Sequence, residues 1–562
     1  MPGWNAQLTN DASHGVGRDH SADHGARLTI WTTKLTCVGL VLALGVGCGD
    51  DGGDSNPGGA AGSGGSAASG GAAGAAGSGG AAGSGGSGGA AGDAGSAGSG
   101  GSGASGGTAA SGGVGGSGGS AGSGGAAGSG GTAGSGGSGG ADCLEFGTFA
   151  DDVTPSRELH VSLAGSDTGG DGSPGAPFAT VRAAARAATF GTAIRVHPGT
   201  YAGDQSISGL TGTSDSPIWI GGVPGQPRPV FSGGSQGLHL SRVRYLVLHD
   251  IEVTGATANG INIDDGGDTA DSNATRSVVF RNIRVHGIGT GGNQDCLKMS
   301  GVNQFWVLES QFEDCSGGGS GIDMVGCHGG LIAKNDFNRM GSNAIQAKGG
   351  TADIIIRQNV MVDAGQRAVN MGGSTGFEYF RPPLTRSGDN FEARRIQVVA
   401  NLIQGATAAV AFVGCVDCVA AHNTIVNPEN WILRILQETT SRDGYSFLPA
   451  RNGRFESNLV YFSRGDLSTY VNVGSGTDAP SFVFRSNLWY ASDNPGASQP
   501  TNLPSTETNG VYGEDPGVSA PRYETPASSP AVGAGHNPAA TPADLLGRCY
   551  ESPPSIGAYE PD

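Results

Sequence analysis

The chain of 562 residues predicts an all-β solenoid, and three observations carry the prediction. One short phrase recurs. Asn282, Ser310, Asn335 and Asn359 each open a run of two or three alternating apolar residues, at steps of 28, 25 and 24 residues, and self-similarity at such a period marks stacked repeats. Within each copy the apolar residues alternate at period two, as in Ile322/Met324, Ile345/Ala347 and Val369/Met371; a helical repeat would place them three and four apart. The runs are short and separated by Gly, Asn and Asp, so they read as strands of about three to five residues. Equivalent strands of successive coils, stacked about 4.8 Å apart, make long parallel sheets around a narrow apolar core.

These copies resemble the right-handed parallel β-helix proteins, the architecture of the pectate lyases and of many other polysaccharide-acting enzymes. The resemblance implies a right-handed parallel β-helix solenoid with an N-terminal capping helix. It matches no particular lyase subfamily.

Three segments follow from composition. In residues 1–48, Arg18, Arg27 and Lys34 precede an apolar run from Leu35 to Val46, too short to span a bilayer comfortably. The run ends at Gly45-Val46-Gly47-Cys48 and resembles a bacterial lipoprotein signal, which implies that Cys48 is lipidated and begins the mature chain. By analogy with Gram-negative sorting, Gly49 favours the outer membrane or cell surface. Residues 49–141 are almost entirely Gly, Ser and Ala; they lack the apolar surface to offset the entropy of ordering and read as a disordered tether with an r.m.s. span of about 50–60 Å. Residues 142–562 form the folded part, with a cap at about 160–200, coils at about 200–490 and a closing segment at about 515–562. The cap centres on an Ala-rich helix, Phe178–Thr189, that covers the open end of the solenoid and its unpaired strand edges.

The anchors continue at Asn401, Asn423, Asn458 and Asn487, after a first one at Asp250, and are interrupted by two insertions, GFEYFRPPLTRSGDNFEARR and ENWILRILQETTSRDGYSF. Insertions in solenoids become loops on one face, often the binding face. The repeated Asn reads as a structural ladder, each side chain hydrogen-bonding the turn backbone and tolerating a left-handed conformation. Of nine Cys, Cys37 falls in the leader and Cys48 would carry lipid; the other seven are an odd set, so at least one lacks an internal partner, and Cys415/Cys418 fits stacked half-buried Cys or a local disulfide better than a zinc site. A net charge of −18 argues against nucleic acid and anionic membrane surfaces as partners. Membrane contact is expected only through the lipid, and the domain is expected to be a monomer.

Aligning the second strand of each copy places Asn262, Lys298, Asp323, Gln346 and Asn370 in one outward column, with Asp264, Ser300 and Lys348 in the next. Two lysines in three coils beside Asp264, Asp265, Asp295 and Asp323 single out this face, where both lysines are expected to point outward and add little to the core. The Gly-rich turns at Gly317–Gly321 and Gly349–Gly350 would let a bulky glycan approach the backbone. What the lyase resemblance implies is cleavage of a uronic-acid glycan by β-elimination, which needs a base at the proton beside the carboxylate and a cation to stabilise the developing charge. Lys348 or Lys298 would be the base, Arg367 and Arg381 would hold uronate carboxylates by a fork, and calcium would bridge Asp295 and Asp323. Asn262, Gln346, Asn370 and Tyr379 would bind the glycan, with Phe377, Phe380 and Trp431 as further stacking candidates. Two other readings stay open. Asp264-Asp265 and the GCHGG at Gly326–Gly330 resemble pieces of the polygalacturonase signature, though the Arg-x-Lys element of that signature does not occur, and a non-catalytic carbohydrate-binding solenoid would present the same column.

Overall fold

A computed structural model describes Cys143 and residues 147–289, 291–315, 318–537 and 543–561. The leader, Cys48, the tether and Gly317 lie outside the described residues. Among those described, no helix is long and apolar enough to cross a membrane.

Strands pair in parallel throughout and build three sheets of 14, 12 and 10 strands. Each coil contributes one strand to each sheet, as Ile322–Val325, His328–Ala333 and Asp336–Asn338 do in succession. The chain is the right-handed parallel β-helix that the repeat predicts. Alternation decides which residues enter the core: Ile322, Met324, Ile345 and Val369 all point inward and are fully buried. The 10-stranded sheet, from Gln205–Ser208 to Val471–Val473, forms the floor of the site described below.

The cap is a helix of seven residues, Val181–Ala187, shorter at both ends than expected. Thr180 caps its first turn by accepting from the Ala183 N–H, 3.1 Å, and Val181 and Ala184 plug the core.

The ladder needs a correction of register. Strand pairing sets Arg281 opposite Leu308, so Asn282 matches Glu309 and the ladder position of that coil is Ile283, opposite Ser310. Asp250 is displaced in the same way, one residue before Ile251. Asp250, Asn282, Glu309, Lys334, Gln358, Ala400, His422, Ser457 and Ser486 form a separate column, each left-handed with φ between 50° and 57°. The ladder residue follows, and the left-handed conformation belongs to its predecessor. From Asn335 the amides run in one direction: Asn335 donates to Asn359 at 2.9 Å, Asn359 to Asn401 and Asn401 to Asn423 at 3.0 Å, Asn423 to Asn458 at 2.9 Å and Asn458 to Asn487 at 3.1 Å. Glu507 ends the series, accepting from the Asn487 amide at 2.7 Å, the Trp489 indole at 2.9 Å and the Tyr512 hydroxyl at 2.8 Å.

Cysteines pair as Cys143–Cys549, Cys296–Cys315 and Cys415–Cys418, and the odd one, Cys327, is a buried free thiol. The closing segment packs Val518, Tyr523, Ala531 and Ile556 on the outward residues Leu402, Val426, Leu459 and Leu488 of the 12-stranded sheet.

Candidate functional site

The floor is a column of outward residues in register: Ser206, His239, Asn262, Lys298, Asp323, Gln346, Asn370, Ala411, Arg434 and Asn472. Beside it runs Ser241, Asp264, Ser300, Val325 and Lys348. The alternation of each strand sends these side chains away from the core.

Outward does not mean exposed on this face. Asp323 and Asp295 are fully buried, and the lysines cover them. The Lys298 ammonium pairs with Asp323 Oδ2 and stands 3.4 Å from Asp295 Oδ2, while Lys348, two coils away along the floor, reaches the same Asp323 oxygen at 3.3 Å. Lys298 therefore does more than decorate a surface, and the expectation that both lysines are peripheral to the fold fails for it. Burial works to lower the Lys298 pKa, but Asp323 and Asp295 outweigh it and hold the ammonium charged well above its ordinary range. A base requires the opposite shift, so the pairing with Asp323 and Asp295 suits Lys298 to the role of a fixed cation better than to that of a base. Asp323 is held below the usual carboxylate range, its burial offset by Lys298 and Lys348. Burial and the neighbouring Asp323 push Asp295 up to about 6.

Calcium does not fit this arrangement. The ion takes about six to eight oxygen ligands, whereas the immediate neighbours of the two carboxylates are ammonium groups without lone pairs, and two cations already balance two anions. Among the described residues no group of three or more His, Cys, Asp or Glu side chains is gathered as metal ligands.

Over the floor lies a cavity of about 510 Å³ lined by Asn262, Asp264, Lys298, Ser300 and Lys348 below and by Ser374, Thr375, Tyr379 and Arg381 of the first insertion beside them. Tyr379 is 56% exposed, whereas Phe377 and Phe380 pack against Phe447 of the second insertion, at centroid distances of 5.4 Å each. The fork of Arg381, which the sequence reading assigns to a uronate, is occupied by Asp265, with Nε to Oδ2 at 2.6 Å and Nη2 to Oδ1 at 3.1 Å, and Nη1 donates to the Tyr379 carbonyl at 2.7 Å. Arg381 thus fixes the insertion. Its side chain lies along the turn glycines: a Cβ at Gly301 would meet its Nε at 2.9 Å, and one at Gly326 its Cβ at 2.3 Å. The bulky chain that approaches Gly350 is also this insertion, since a Cβ there would meet the Arg381 carbonyl oxygen at 2.5 Å. Arg367 pairs with Glu438 at 2.7 Å and donates to Asn370 at 3.3 Å, away from the cavity lining. Asn262 lines the cavity, while Gln346 and Asn370 lie past its end. Trp431 begins a floor strand, Trp431–Leu436, rather than belonging to an insertion, and Arg434 stacks on its ring at 4.2 Å.

Two parts of the site escaped the sequence reading. Glu392, fully buried, accepts from the Gly349 N–H at 2.8 Å, from the Thr375 N–H and hydroxyl at 2.9 and 2.8 Å, and from the Thr439 hydroxyl, so it ties both insertions to the floor; burial nevertheless pushes its pKa up. No repeat signal marks it, because it lies in an insertion. His239 could have been found: it extends the column one coil earlier, between Leu238 and Leu240. Its Nε2 is 2.7 Å from Asp264 Oδ2, whose other oxygen accepts from the Ser241 hydroxyl at 2.7 Å; burial raises the Asp264 pKa, but these partners outweigh it and hold the carboxyl below the usual range.

No curated protein matches the chain in sequence. Residues 236–389 match the family model described as right handed beta helix region. Among solved structures, the chain is similar to the pectate lyase Pel9A at 16% identity and a TM-score of 0.46, covering 75% of this chain and 100% of that one. It is similar to an alginate lyase from Paenibacillus sp. str. FPU-7 at 16% identity and a TM-score of 0.37, covering 63% and 95% of the two chains, and to a rhamnogalacturonan lyase at 16% identity and a TM-score of 0.40, covering 59% and 87%.

Proposed function

We propose that the cavity binds an acidic, uronate-containing polysaccharide and cleaves it by β-elimination, with Lys298 as the cation that receives the uronate carboxylate and Lys348 as the base. The observation that carries this reading is the convergence of two ammonium groups from different coils on one buried Asp323 oxygen at the floor of a cavity of about 510 Å³. A uronate carboxylate seated on Lys298 puts its adjacent C–H next to a second, separate amine. To act as base, Lys348 first releases its ammonium proton to water and leaves Asp323; the resulting amine takes the uronate proton, the C–H electron pair forms the C4–C5 double bond, the C4–O bond breaks, and the departing oxygen takes a proton from water. Charge on the carboxylate rises as the proton leaves, so a fixed cation stabilises the transition state more than the ground state. The arrangement involves no calcium. Tyr379 offers its exposed ring to a sugar face, and Asn262 and Ser300 offer hydrogen bonds.

The test is incubation of the purified protein with polygalacturonate and alginate while following ultraviolet absorbance from new unsaturated ends. The reading expects signal that persists with chelator and disappears in Lys348→Ala. New reducing ends without absorbance would establish hydrolysis instead, and binding with neither would establish a carbohydrate-binding solenoid. Lipidation of Cys48, with residues 49–141 as tether, would hold this activity at the outer membrane or cell surface; a fatty-acid probe that still labels Cys48→Ala would overturn the anchor.

A further inference from the structure

The floor column changes character along its length. Ser206 is exposed and His239, Asn262, Lys298 and Gln346 are half-buried, whereas Asp323, Asn370 and Ala411 are buried; Arg434 and Asn472 beyond them are half-buried again. The accessible part is interrupted where the first insertion leaves the floor. Gly373 lies directly on the column: a Cβ there would meet Gln346 Nε2 at 2.9 Å and the Lys348 Cβ at 3.6 Å. Ser374 and Thr375 then turn down as the end wall of the cavity. This wall is anchored, because Thr375 is held twice by Glu392, and the Thr439 hydroxyl donates to Glu392 and reaches the Gly373 carbonyl at 3.4 Å. Behind it the Arg367–Glu438 pair, 2.7 Å, joins the start of the floor strand Arg367–Gly372 to the second insertion. Arg381, pinned to Asp265, fixes the side of the cavity. At the other end, His239 keeps a third of its side chain exposed.

We propose that the cavity is a blind pocket, open toward His239 and closed at Gly373–Thr375, that takes the terminal residues of an acidic polysaccharide, so that the protein acts at chain ends and not in mid-chain. The inference rests on the uronate reading above and adds the mode of engagement. An open groove would let a polymer run over all ten floor strands, whereas a wall at Lys348 leaves room only from the coil of His239 to that of Lys348. Those strands are four coil steps apart, about 19 Å. With a disaccharide spanning about two coil spacings, or roughly 10 Å, about three or four sugars fill the pocket, and the rest of the chain leaves past His239.

The experiment compares intact polygalacturonate and alginate with the same polymers cut to about one tenth of their length, by mass, in a binding titration of the purified protein. A pocket for ends sees about ten times more sites in the cut sample, so the mass concentration at half-saturation falls about tenfold. Equal half-saturation by mass would overturn the blind pocket while leaving the ligand class standing. Absence of binding to both polymers in both forms would overturn the ligand class and this inference together. If the polymers are cleaved, product sizing gives a second readout: short products beside persisting long chains support action at the end, and an early fall in mean chain length overturns it.

Discussion

The guanidinium of Arg381 holds both carboxylate oxygens of Asp265, at 2.6 and 3.1 Å, across 116 residues of sequence. Both partners are nearly or fully buried, so removing one leaves the other charged without compensation. Arg381→Ala is expected to cost about 3–5 kcal/mol and to loosen the insertion. Thermal unfolding measures the first, and limited proteolysis between residues 374 and 392 the second. The double variant with Asp265→Ala should recover much of the stability; if the two losses simply add, the pair is not the clasp of the insertion.

The two lysines should separate in their effects. Lys298→Ala leaves Asp295 and Asp323 facing each other in the interior and is expected to destabilise by about 3–5 kcal/mol. Lys348→Ala leaves Asp323 paired with Lys298 and should fold with a smaller loss while abolishing β-elimination. Denaturant titrations of both variants, beside absorbance assays, check this; equal stability losses would mean that Lys298 is not the ion on which the buried carboxylates depend.

Asp295 predicts a pH dependence of stability. Its carboxyl is pushed from an ordinary 3.8 up to about 6, so between these values the native state binds more protons than the unfolded one. The stabilising contribution of the protonated form is complete below pH 3.8 and is lost as pH rises through about 6. A shift of about two units bounds the loss at about 3 kcal/mol. Asp295→Asn, which cannot ionise, should gain on the wild type across that window in melts at several pH values. A stability difference independent of pH would show that this carboxyl stays ionised in the fold.

In the ladder, Asn401 donates to the Ile356 and Val399 carbonyls at 3.0 and 3.1 Å and accepts from the Asn359 N–H at 3.0 Å. Asn401→Ala strands these buried groups and is expected to cost about 2–4 kcal/mol. The preceding Ala400 sits at φ 53°, where a Cβ is strained, so Ala400→Gly should stabilise by about 0.5–1 kcal/mol. Chemical denaturation of the two variants checks the assignment of roles; similar losses at both would contradict a ladder that runs through Asn401 with its left-handed residue one position earlier.

Much of the fold was legible because a coil is a local object. Ile322, Met324, Ile345 and Val369 alternate within a few residues, and alternation alone assigns them to the core. The column from Asn262 to Asn370 could be aligned for the same reason, since its register follows from the apolar pairs beside it. What could not be read was depth. Whether Asp323 is solvated or buried depends on lysines two coils apart, and whether Arg381 meets a ligand or Asp265 depends on an insertion without a repeat. The first anchors slipped by one residue because Asp250 and Asn282 supply the expected side chain at the left-handed position, while Ile251 and Ile283 occupy the ladder position itself.

The bend that carries the ladder is two residues long in every coil from Asp250-Ile251 to Ser486-Asn487. The bend at the far edge of the floor sheet ranges from the single Gly301 to the stretch 373–392. The ladder bend keeps one length along these coils, while the bend after the floor takes long insertions and the bend before it varies more modestly, as between Gln404 and Ala408 or Ile288 and Leu297. New walls, and with them new ligand preferences, can therefore arise by insertion beside the floor, and descendants of this chain should differ most in the segments after Asp264, Gly372 and Leu436 while keeping the ladder bend intact.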